Sequence, residues 1–534
     1  MVDANASAVD RPWLALYDAG VSGEASPRHP TVVHAFLSAC AREPGKDFIH
    51  YRDNTLSYAE ADRWSDDVAL ELVRHGITRG DRIAVYLQSV PQFVIAAIAA
   101  WKLRAIVATV NPMYREREVA DVLRDSGAKV LFCESGEAAE MAQRVATGCG
   151  VAHVTVCDPE VASMPASPGA QNTAPRDLPE PNDPATFIYT SGTTGPMKAA
   201  VSTHAQVAYS AEVYRSWADM SPRDVIVAIA PLVHVTGMIG YIALAMATGC
   251  SLVLTYRFTP AAFRDAVREH AGTFTIGPTT AFIALIAADD VERSDLATLR
   301  KTYCGGAPIP AAIVERYRAR FGPTILGVYG LTEATGPTHM VSRGHPAPID
   351  SASGTQAVGL PVPGLDCGIV DDEGRAVPAG TPGEITVSGP QLASGYWQRP
   401  ADTASTFNPS GLRTGDIGTM DACGWLYVID RKKDQINASG FKVWPREVEE
   451  VLYEHDAVLE CAVVGVPDEY RGETVRAYVA LRAGRELEAP SLQAFCRERL
   501  AAYKVPRSIV FLAQLPKTAS GKVLRRALRD IPAS

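Results

Sequence analysis

Short apolar runs alternate with helical patterns along the first 430 residues, and this alternation constrains the fold most. Such runs are typical of parallel strands joined by crossover helices that cover both faces of a sheet. The runs cover residues 82–87, 129–133, 151–156, 185–189, 225–230, 252–255, 273–276 and 324–329, with helical patterns between many of them, as at 92–103 and 116–126. We therefore expect an α/β fold with layered, largely parallel sheets.

After residue 430 the pattern restarts on a smaller scale. A helix is expected from Pro445, strands at 461–466 and 475–481, a helix near 492–500 and a last strand at 508–512. This order predicts a small α+β unit. The sequence thus predicts a large N-terminal domain, residues 1–430, and a small C-terminal domain, residues 431–534.

The chain carries a net negative charge, and its charged residues are unevenly distributed along the sequence. The 534 residues include 60 Asp and Glu against 51 Lys and Arg, a net charge of −9, which argues against a nucleic-acid-binding protein. Residues 431–534 hold 18 Lys and Arg against 14 Asp and Glu, so the small domain is net positive. Chance scatter of solvated surface charge is enough to explain this bias.

The sequence offers no sign of export or of a membrane span. Its ten cysteines include no C-x-x-C pair, and Cys133 and Cys461 lie in apolar runs, which indicates buried reduced thiols. Residues 1–13 show no positive segment followed by an apolar one. Residues 225–256 lack Asp, Glu, Lys and Arg, but Pro231 and several glycines interrupt them. We expect strand, loop, helix and strand there, in a cytoplasmic protein.

A loop rich in hydroxyl groups follows the apolar run at 185–189. Its residues are Thr190, Ser191, Gly192, Thr193, Thr194 and Gly195, with Lys198 shortly after. Glycines let backbone N–H groups close on an anion, hydroxyls donate hydrogen bonds and a lysine adds positive charge. It is not a Walker loop, because the spacing differs and Ala199 follows the lysine. The sequence predicts a phosphate-binding loop.

This loop resembles that of the adenylate-forming superfamily of acyl-CoA synthetases, peptide-synthetase adenylation domains and beetle luciferases. One segment departs from the family pattern Gly-x-Pro-Lys-Gly, because this chain has Gly195-Pro196-Met197-Lys198-Ala199. Proline fixes φ and alanine disfavours a left-handed backbone, so an altered hold on the ATP β- and γ-phosphates is predicted. The resemblance also implies a small β-barrel-like subdomain in the large domain and a mobile C-terminal lid.

A second matching segment runs from Tyr329 to Glu333. The resemblance implies that Tyr329 and Gly330 lie at the adenine, that Thr332 contacts the α-phosphate and that Glu333 holds Mg²⁺, a cation that prefers oxygen ligands. A strip along the adenine and the acyl carboxylate is assigned in the same way to Gly305, Gly306, Ala307 and Pro308.

Two further matches concern the ribose and the domain junction. Asp416 matches an aspartate that binds both ribose hydroxyls, since a carboxylate can accept two O–H donors. Arg431 matches a second ribose contact, and Lys433 matches the hinge of the family.

The small domain carries two more matching segments. Ser439, Gly440, Phe441 and Lys442 resemble the loop that lines the pantetheine tunnel during thioester formation. Lys522 matches the lysine that bridges the carboxylate and the α-phosphate, where a cation offsets charge at phosphorus.

The segment at 231–237 occupies the acyl-pocket position of the family. Amino-acid-activating members carry an aspartate here, and this chain has none, so an amino acid substrate is not expected. His234 is expected to act as a gate beside the carboxylate. The remaining predicted pocket residues are Gly237, Met238, Thr279, Cys304, Gly305 and Gly330, and their apolar character suits a hydrophobic acid. Residues 110–114 resemble medium- and long-chain fatty acid members, although aryl and terpenoid acids fit apolar pockets as well.

The resemblance implies an AMP-forming acyl-CoA synthetase that uses ATP, Mg²⁺ and coenzyme A. The first alternative is a ligase that takes a preformed acyl-AMP, because of the altered 195–199 segment. A second loads a carrier-protein phosphopantetheine, a third is a luciferase-like oxidoreductase, and a non-enzymatic binding module is a fourth. A homodimer and a carrier-protein partner stay open.

Overall fold

The computed structural model describes residues 11–160, 177–190, 197–307, 309–350, 355–408, 411–438, 441–468, 472–518 and 521–531. Its strands are β1 (Asp47–Tyr51), β2 (Asn54–Ser57), β3 (Arg82–Tyr86), β4 (Ile106–Thr109), β5 (Val130–Glu134), β6 (His153–Cys157), β7 (Pro184–Thr190), β8 (Lys198–Thr203), β9 (Val225–Val227), β10 (Ser251–Leu254), β11 (Phe274–Gly277), β12 (Lys301–Gly305), β13 (Leu326–Leu331), β14 (Gly336–Met340), β15 (Leu360–Pro361), β16 (Asp366–Val370), β17 (Gly383–Ser388), β18 (Phe407–Asn408), β19 (Gly411–Met420), β20 (Leu426–Arg431), β21 (Ile436–Ala438), β22 (Phe441–Val443), β23 (Val458–Asp468), β24 (Gly472–Leu481) and β25 (Ser508–Phe511).

The α-helices lie between these strands in the order that the sequence pattern predicts. They are α1 (Val32–Arg42), α2 (Tyr58–Arg74), α3 (Pro91–Lys102), α4 (Glu116–Ser126), α5 (Glu137–Cys149), α6 (His204–Trp217), α7 (Val235–Gly237), α8 (Leu244–Thr248), α9 (Pro260–Glu269), α10 (Thr279–Ala287), α11 (Ala311–Phe321), α12 (Pro400–Thr406), α13 (Pro445–Glu454), α14 (Ala489–Arg497) and α15 (Arg525–Arg529). Wider turns at Met238–Ala243 join α7 to α8.

Two sheets form the body of the large domain, and both are largely parallel as predicted. One has the strand order β15-β14-β13-β12-β11-β9-β10-β1-β2 and is parallel from β13 to β1. The other has the order β6-β5-β3-β4-β7-β8, and only β8 runs antiparallel to its neighbour. A third sheet, of β16 to β20, is antiparallel, and it is the candidate for the expected small β-barrel-like subdomain.

Local signals explain where several helices begin. At α2 and α6 the first turn is closed by a reciprocal cap, in which Ser57 pairs with Glu60 and Thr203 pairs with Gln206. Helix α3 is buried along its whole length and packs against α2, so its sequence is apolar on every face.

The segment at 225–256 folds as strand, loop, helix and strand, as predicted. No helix within the described ranges combines the length and apolarity needed to cross a bilayer. The last sheet, β21 to β25, belongs to the small α+β unit, with α13 and α15 packed on β23. Its apolar core continues into α10 and α11, and Arg316 of α11 donates to the Tyr453 carbonyl of α13 over 3.0 Å.

Candidate active site

The ends of the predicted phosphate loop are held together by a hairpin. Strands β7 and β8 are antiparallel, and Thr190 pairs directly with Lys198 across them. The ammonium of Lys198 forms an ion pair with Asp402 and lies 5.3 Å from the centre of the Tyr396 ring. The five residues between them that sequence reasoning selected, Ser191, Gly192, Thr193, Thr194 and Gly195, fall outside the described residues.

Glu333 is oriented by a tyrosine that sequence reasoning missed. The Tyr396 hydroxyl donates to Glu333 Oε1 over 2.7 Å, and burial together with the Glu333 charge raises the pKa of Tyr396. Glu333 follows β13 in the short helical turn Thr332–Ala334, which also carries Thr332. A single fixed carboxylate suits a magnesium ion that takes its other oxygen ligands from phosphates and water.

Asp416 is contacted from two sides by Tyr329 and Arg431, two residues that the sequence motifs predict for the nucleotide site. The Tyr329 hydroxyl donates to Asp416 Oδ2 over 2.7 Å, and Arg431 Nε lies 3.3 Å from Asp416 Oδ1. Asp416 and Arg431 are direct partners across the β19–β20 ladder, which fixes their spacing. Burial raises the pKa of Asp416, while the Arg431 cation and the Tyr329 hydrogen bond oppose that rise.

Lys522 reaches from the small unit into this group. Gly306 has φ +80°, a backbone conformation that favours glycine, and a Cβ on it would lie 2.9 Å from Lys522 Cε, so the lysine side chain lies close against this turn. The turn before Lys522 is anchored on the large domain, because Thr280 Oγ1 donates to the Gly521 carbonyl over 2.9 Å. Thr280 gives no signal in the sequence and was missed.

The electrostatics of Lys522 reflect its neighbours. Its pKa is lowered to about 8, because crowding desolvates the ammonium and Arg431 repels it, whereas the charges of Asp416 and Glu333 act in the opposite direction. The side chain remains exposed to solvent, so water opposes part of the desolvation. We call the residues that face this amine (Gly306, Glu333, Asp416 and Arg431) the Lys522 cluster.

His234 lies beside the Lys522 cluster at the start of α7. Burial and the nearby Lys522 charge lower the pKa of His234 to about 4, so its imidazole is neutral near pH 7. Its Nε2 is buried without a hydrogen-bond partner among the described residues, as expected of a group that faces a ligand.

The other predicted pocket residues are buried or half-buried. Met238 is fully buried, and Thr279 Oγ1 lies 3.4 Å from Cys304 Sγ, whose pKa burial raises to about 12. At Gly237 a Cβ would overlap the Pro231 carbonyl, so the backbone approaches too closely for any other residue. Gly330 is constrained in the same way by the carbonyl of residue 336, and Gly305 by Val328.

Several predicted residues stand apart from the Lys522 cluster or lie outside the described part of the chain. Pro308, Ser439 and Gly440 are not described, while Ala307 is exposed. Phe441 is exposed and stacks on Tyr503 with ring centres 4.7 Å apart, and Lys442 lies near Asp372, whose pKa is lowered chiefly by the hydrogen bond from Lys432 and less by Lys442. A possible metal cluster of Glu71, His75 and His153 lies at the start of β6, at the opposite end of the parallel strands from Thr190.

Comparisons with known proteins show the family to which the chain is similar. Residues 36–397 match the family model "AMP-binding enzyme", and residues 447–522 match "AMP-binding enzyme C-terminal domain". A long-chain-fatty-acid–CoA ligase of Bacillus subtilis is 32% identical over 97% of this chain and 98% of its own length. A feruloyl-CoA synthase of an Amycolatopsis species is 34% identical, with 91% and 96% covered. The crystal structure of a benzoate CoA ligase from Burkholderia xenovorans superposes with a TM-score of 0.82 at 26% identity, covering 94% of this chain and all of that one.

The fold, its two matched regions and the polar groups between them define an adenylate-forming enzyme. The chain belongs to the AMP-binding enzyme family, and within it to the acyl-CoA synthetase branch, the AMP-forming acid–thiol ligases. The resemblance seen in the sequence motifs is thereby confirmed, as is the α/β fold.

Proposed function

We propose that this acyl-CoA synthetase activates a hydrophobic carboxylic acid with MgATP, through the residues of the Lys522 cluster, and passes the acyl group to coenzyme A. The observation that carries the residue assignment is the position of Lys522. Its amine comes from the small unit yet faces Glu333 and Asp416 of the large domain, where it can meet phosphate and carboxylate together. The predicted boundary at residue 430 and the hinge at Lys433 belong to this proposal.

In the first half-reaction a carboxylate oxygen attacks the α-phosphorus. A new O–P bond forms, the bond to the bridging oxygen breaks, and pyrophosphate leaves with that oxygen. The ammonium of Lys522 offsets the negative charge that builds up at phosphorus and on the carboxylate. Since anionic phosphates favour the protonated amine, substrate binding raises the pKa of Lys522 and keeps this cation in place.

Positioning of the nucleotide falls to the fixed groups of the large domain. Asp416, held by Tyr329 and Arg431, accepts the two ribose hydroxyls. Glu333, held by Tyr396, supplies the carboxylate ligand for Mg²⁺, which when bound neutralises charge on the phosphates. Lys198 is the described cation of the phosphate hairpin, and its pairing with Asp402 sets its direction.

In the second half-reaction the CoA sulfur attacks the acyl carbonyl carbon. A C–S bond forms, the C–O bond of the mixed anhydride breaks, and AMP leaves. Lys522 lies near Glu333 and Asp416, where this proposal puts the acyl-phosphate, so we propose that the small domain turns about Lys433 before the thiol approaches.

The proposed substrate class follows from the chemistry of His234 and of the side chains that are predicted to line the pocket with it. A neutral imidazole, a buried methionine and a buried thiol line the region, and residues 225–256 offer no Asp or Glu for an ammonium group. Long-chain fatty acids are our first candidates, because the Bacillus subtilis relative is named for them. Aryl acids are the second, because another relative is a feruloyl-CoA synthase.

The experiment supplies fatty, aryl and polycyclic acids in two forms, free with ATP and as preformed adenylates, with CoA as acceptor. We expect ATP–pyrophosphate exchange and acyl-CoA formation with a hydrophobic acid. Acyl-CoA from preformed adenylates alone would instead establish the first alternative, which depends on the altered 195–199 segment. Transfer to a holo-carrier protein but not to CoA would establish the second.

A further inference from the structure

One arginine joins carboxylates on both sides of the predicted hinge. Arg525 Nη1 lies 3.1 Å from Asp430 Oδ1, and its Nη2 lies 2.8 and 2.9 Å from the two carboxylate oxygens of Glu449. The same Nη1 lies 3.7 Å from Asp434 Oδ2. Asp430 lies in β20 and precedes the predicted hinge residue Lys433 in the chain, whereas Asp434 and Glu449 follow Lys433. Arg525 therefore connects the large domain to the small one.

The ion pairs of this group are well shielded from water. The side chain of Asp430 is 5% exposed, that of Glu449 14% and that of Arg525 24%. Charge-assisted hydrogen bonds of this kind are strong, and losing one partner leaves the other charge buried without compensation. Asp430 also accepts from the Arg446 backbone N–H over 3.0 Å, so its carboxylate is held by two groups of the small domain.

Arg525 is linked to Lys522 by a short, internally bonded segment. It opens α15, directly after the turn that carries Lys522. In that turn the Thr518 N–H donates to the Lys522 carbonyl over 2.6 Å, and the Leu524 N–H donates to the Pro516 carbonyl over 2.8 Å. Arg525 follows Lys522 by only three residues, so its anchoring, together with the Thr280 bond to the Gly521 carbonyl, restricts where the amine of Lys522 lies.

We propose that Arg525 is a positioning residue and that its ion pair with Asp430 is a latch for the adenylation arrangement. While the ion pair between Arg525 and Asp430 is intact, the amine of Lys522 stays beside the residues of the Lys522 cluster. A turn about Lys433 changes the orientation of Asp430 relative to α15, so the latch opens before thioester formation. This inference rests on the proposed two-step function and adds a device that controls the change between the steps.

The test measures the two half-reactions separately in the full-length protein. ATP–pyrophosphate exchange reports adenylation, and acyl-CoA formation from preformed acyl-AMP reports thioester formation. In Arg525→Gln and in Asp430→Asn we expect exchange to fall by roughly tenfold to a hundredfold, the factor that a lost charge-assisted hydrogen bond removes from an equilibrium. Thioester formation should fall far less or rise.

Two comparisons separate positioning from damage to the fold. Arg526→Gln removes the same charge from the neighbouring exposed residue and should leave both half-reactions unchanged. Asp430→Asn keeps the shape of the side chain and an acceptor for the Arg446 N–H, so its unfolding midpoint should stay close to that of the wild type. The double variant should lose less than the product of the two single losses, because both changes break one contact.

The outcomes distinguish the latch from the proposed function. Wild-type protein that gives no exchange with any acid overturns the proposed function, and the latch with it. If Arg525→Gln and Asp430→Asn both keep ATP–pyrophosphate exchange at the wild-type rate, the latch alone is overturned. An equal loss of rate in both half-reactions also overturns the latch alone.

Discussion

The hydroxyl of Tyr329 donates to Asp416 Oδ2 over 2.7 Å and ties the end of β13 to the β19 strand of the antiparallel sheet. The contact joins two segments that the sequence separates by 86 residues, and it places one carboxylate oxygen beside a phenol and the other beside Arg431. In the proposed enzyme this pairing fixes the ribose-binding carboxylate before ATP arrives.

Tyr329→Phe tests that contact. Without the hydroxyl the carboxylate of Asp416 loses a donor, and its pKa, already raised by burial, rises further. We expect the KM for ATP to increase by about tenfold, the usual effect of one hydrogen bond to a charged group. Steady-state exchange kinetics measure it, and a KM within twofold of the wild type would contradict the role given to Asp416.

Tyr396→Phe addresses the proposed magnesium ligand. Tyr396 directs Glu333 through a 2.7 Å hydrogen bond, so its loss should loosen the carboxylate and raise the Mg²⁺ concentration needed for half-maximal exchange. A several-fold increase is expected, with little change at saturating Mg²⁺. Trp397→Phe is a useful control, because its indole instead donates to the Asp125 carbonyl over 3.1 Å.

The pH dependence of adenylation should follow the protonation state of the Lys522 amine. Its lowered pKa, about 8, means that the ammonium is present below this pH and is lost as the pH rises through it. The kcat/KM for ATP should therefore fall above about pH 8, since this quantity follows the free enzyme. In Lys522→Arg the guanidinium stays charged, so the alkaline limb should disappear even if the overall rate is lower.

The substitution Gly237→Ala tests how closely the backbone packs at the predicted acyl-pocket segment, residues 231–237. A Cβ at this position overlaps the Pro231 carbonyl and the Leu232 backbone, whereas a Cβ on Gly240 would meet its first neighbour only at 3.5 Å. Gly237→Ala should destabilise the protein by about 1–3 kcal/mol, the usual cost of overpacking, while Gly240→Ala should be close to neutral. Urea unfolding of both variants measures the difference, and equal midpoints would contradict the packing argument.

Much of the fold can be predicted from the sequence, because buried parallel strands are short and apolar and crossover helices such as α4 are amphipathic. The helix expected at 116–126 matches α4 residue for residue, and the strand expected at 508–512 differs from β25 only at its end. The strand run at 225–230 is less accurate, since β9 ends at Val227 and the apolar residues after it continue as a loop. Hydrophobicity does not distinguish a buried loop from a buried strand.

The candidate site shows the same division. Lys522, Glu333, Asp416 and Arg431 can be chosen by their motifs, and in the structure the last three lie near the amine of Lys522. Tyr396, Thr280 and Arg525 cannot be chosen in this way, because each acts through a contact between segments far apart in the chain and has no local signature. Their roles depend on tertiary geometry alone.

Lys522 is proposed to stabilise the transition state of adenylation, and ATP–pyrophosphate exchange in Lys522→Ala measures this contribution. With an acid that the wild type accepts, we expect exchange to fall by about a hundredfold to a thousandfold, the usual loss when one charge-stabilising donor is removed. Acyl-CoA formation from preformed acyl-AMP should continue in the same variant. ATP–pyrophosphate exchange at the wild-type rate in Lys522→Ala would contradict a role of Lys522 in adenylation.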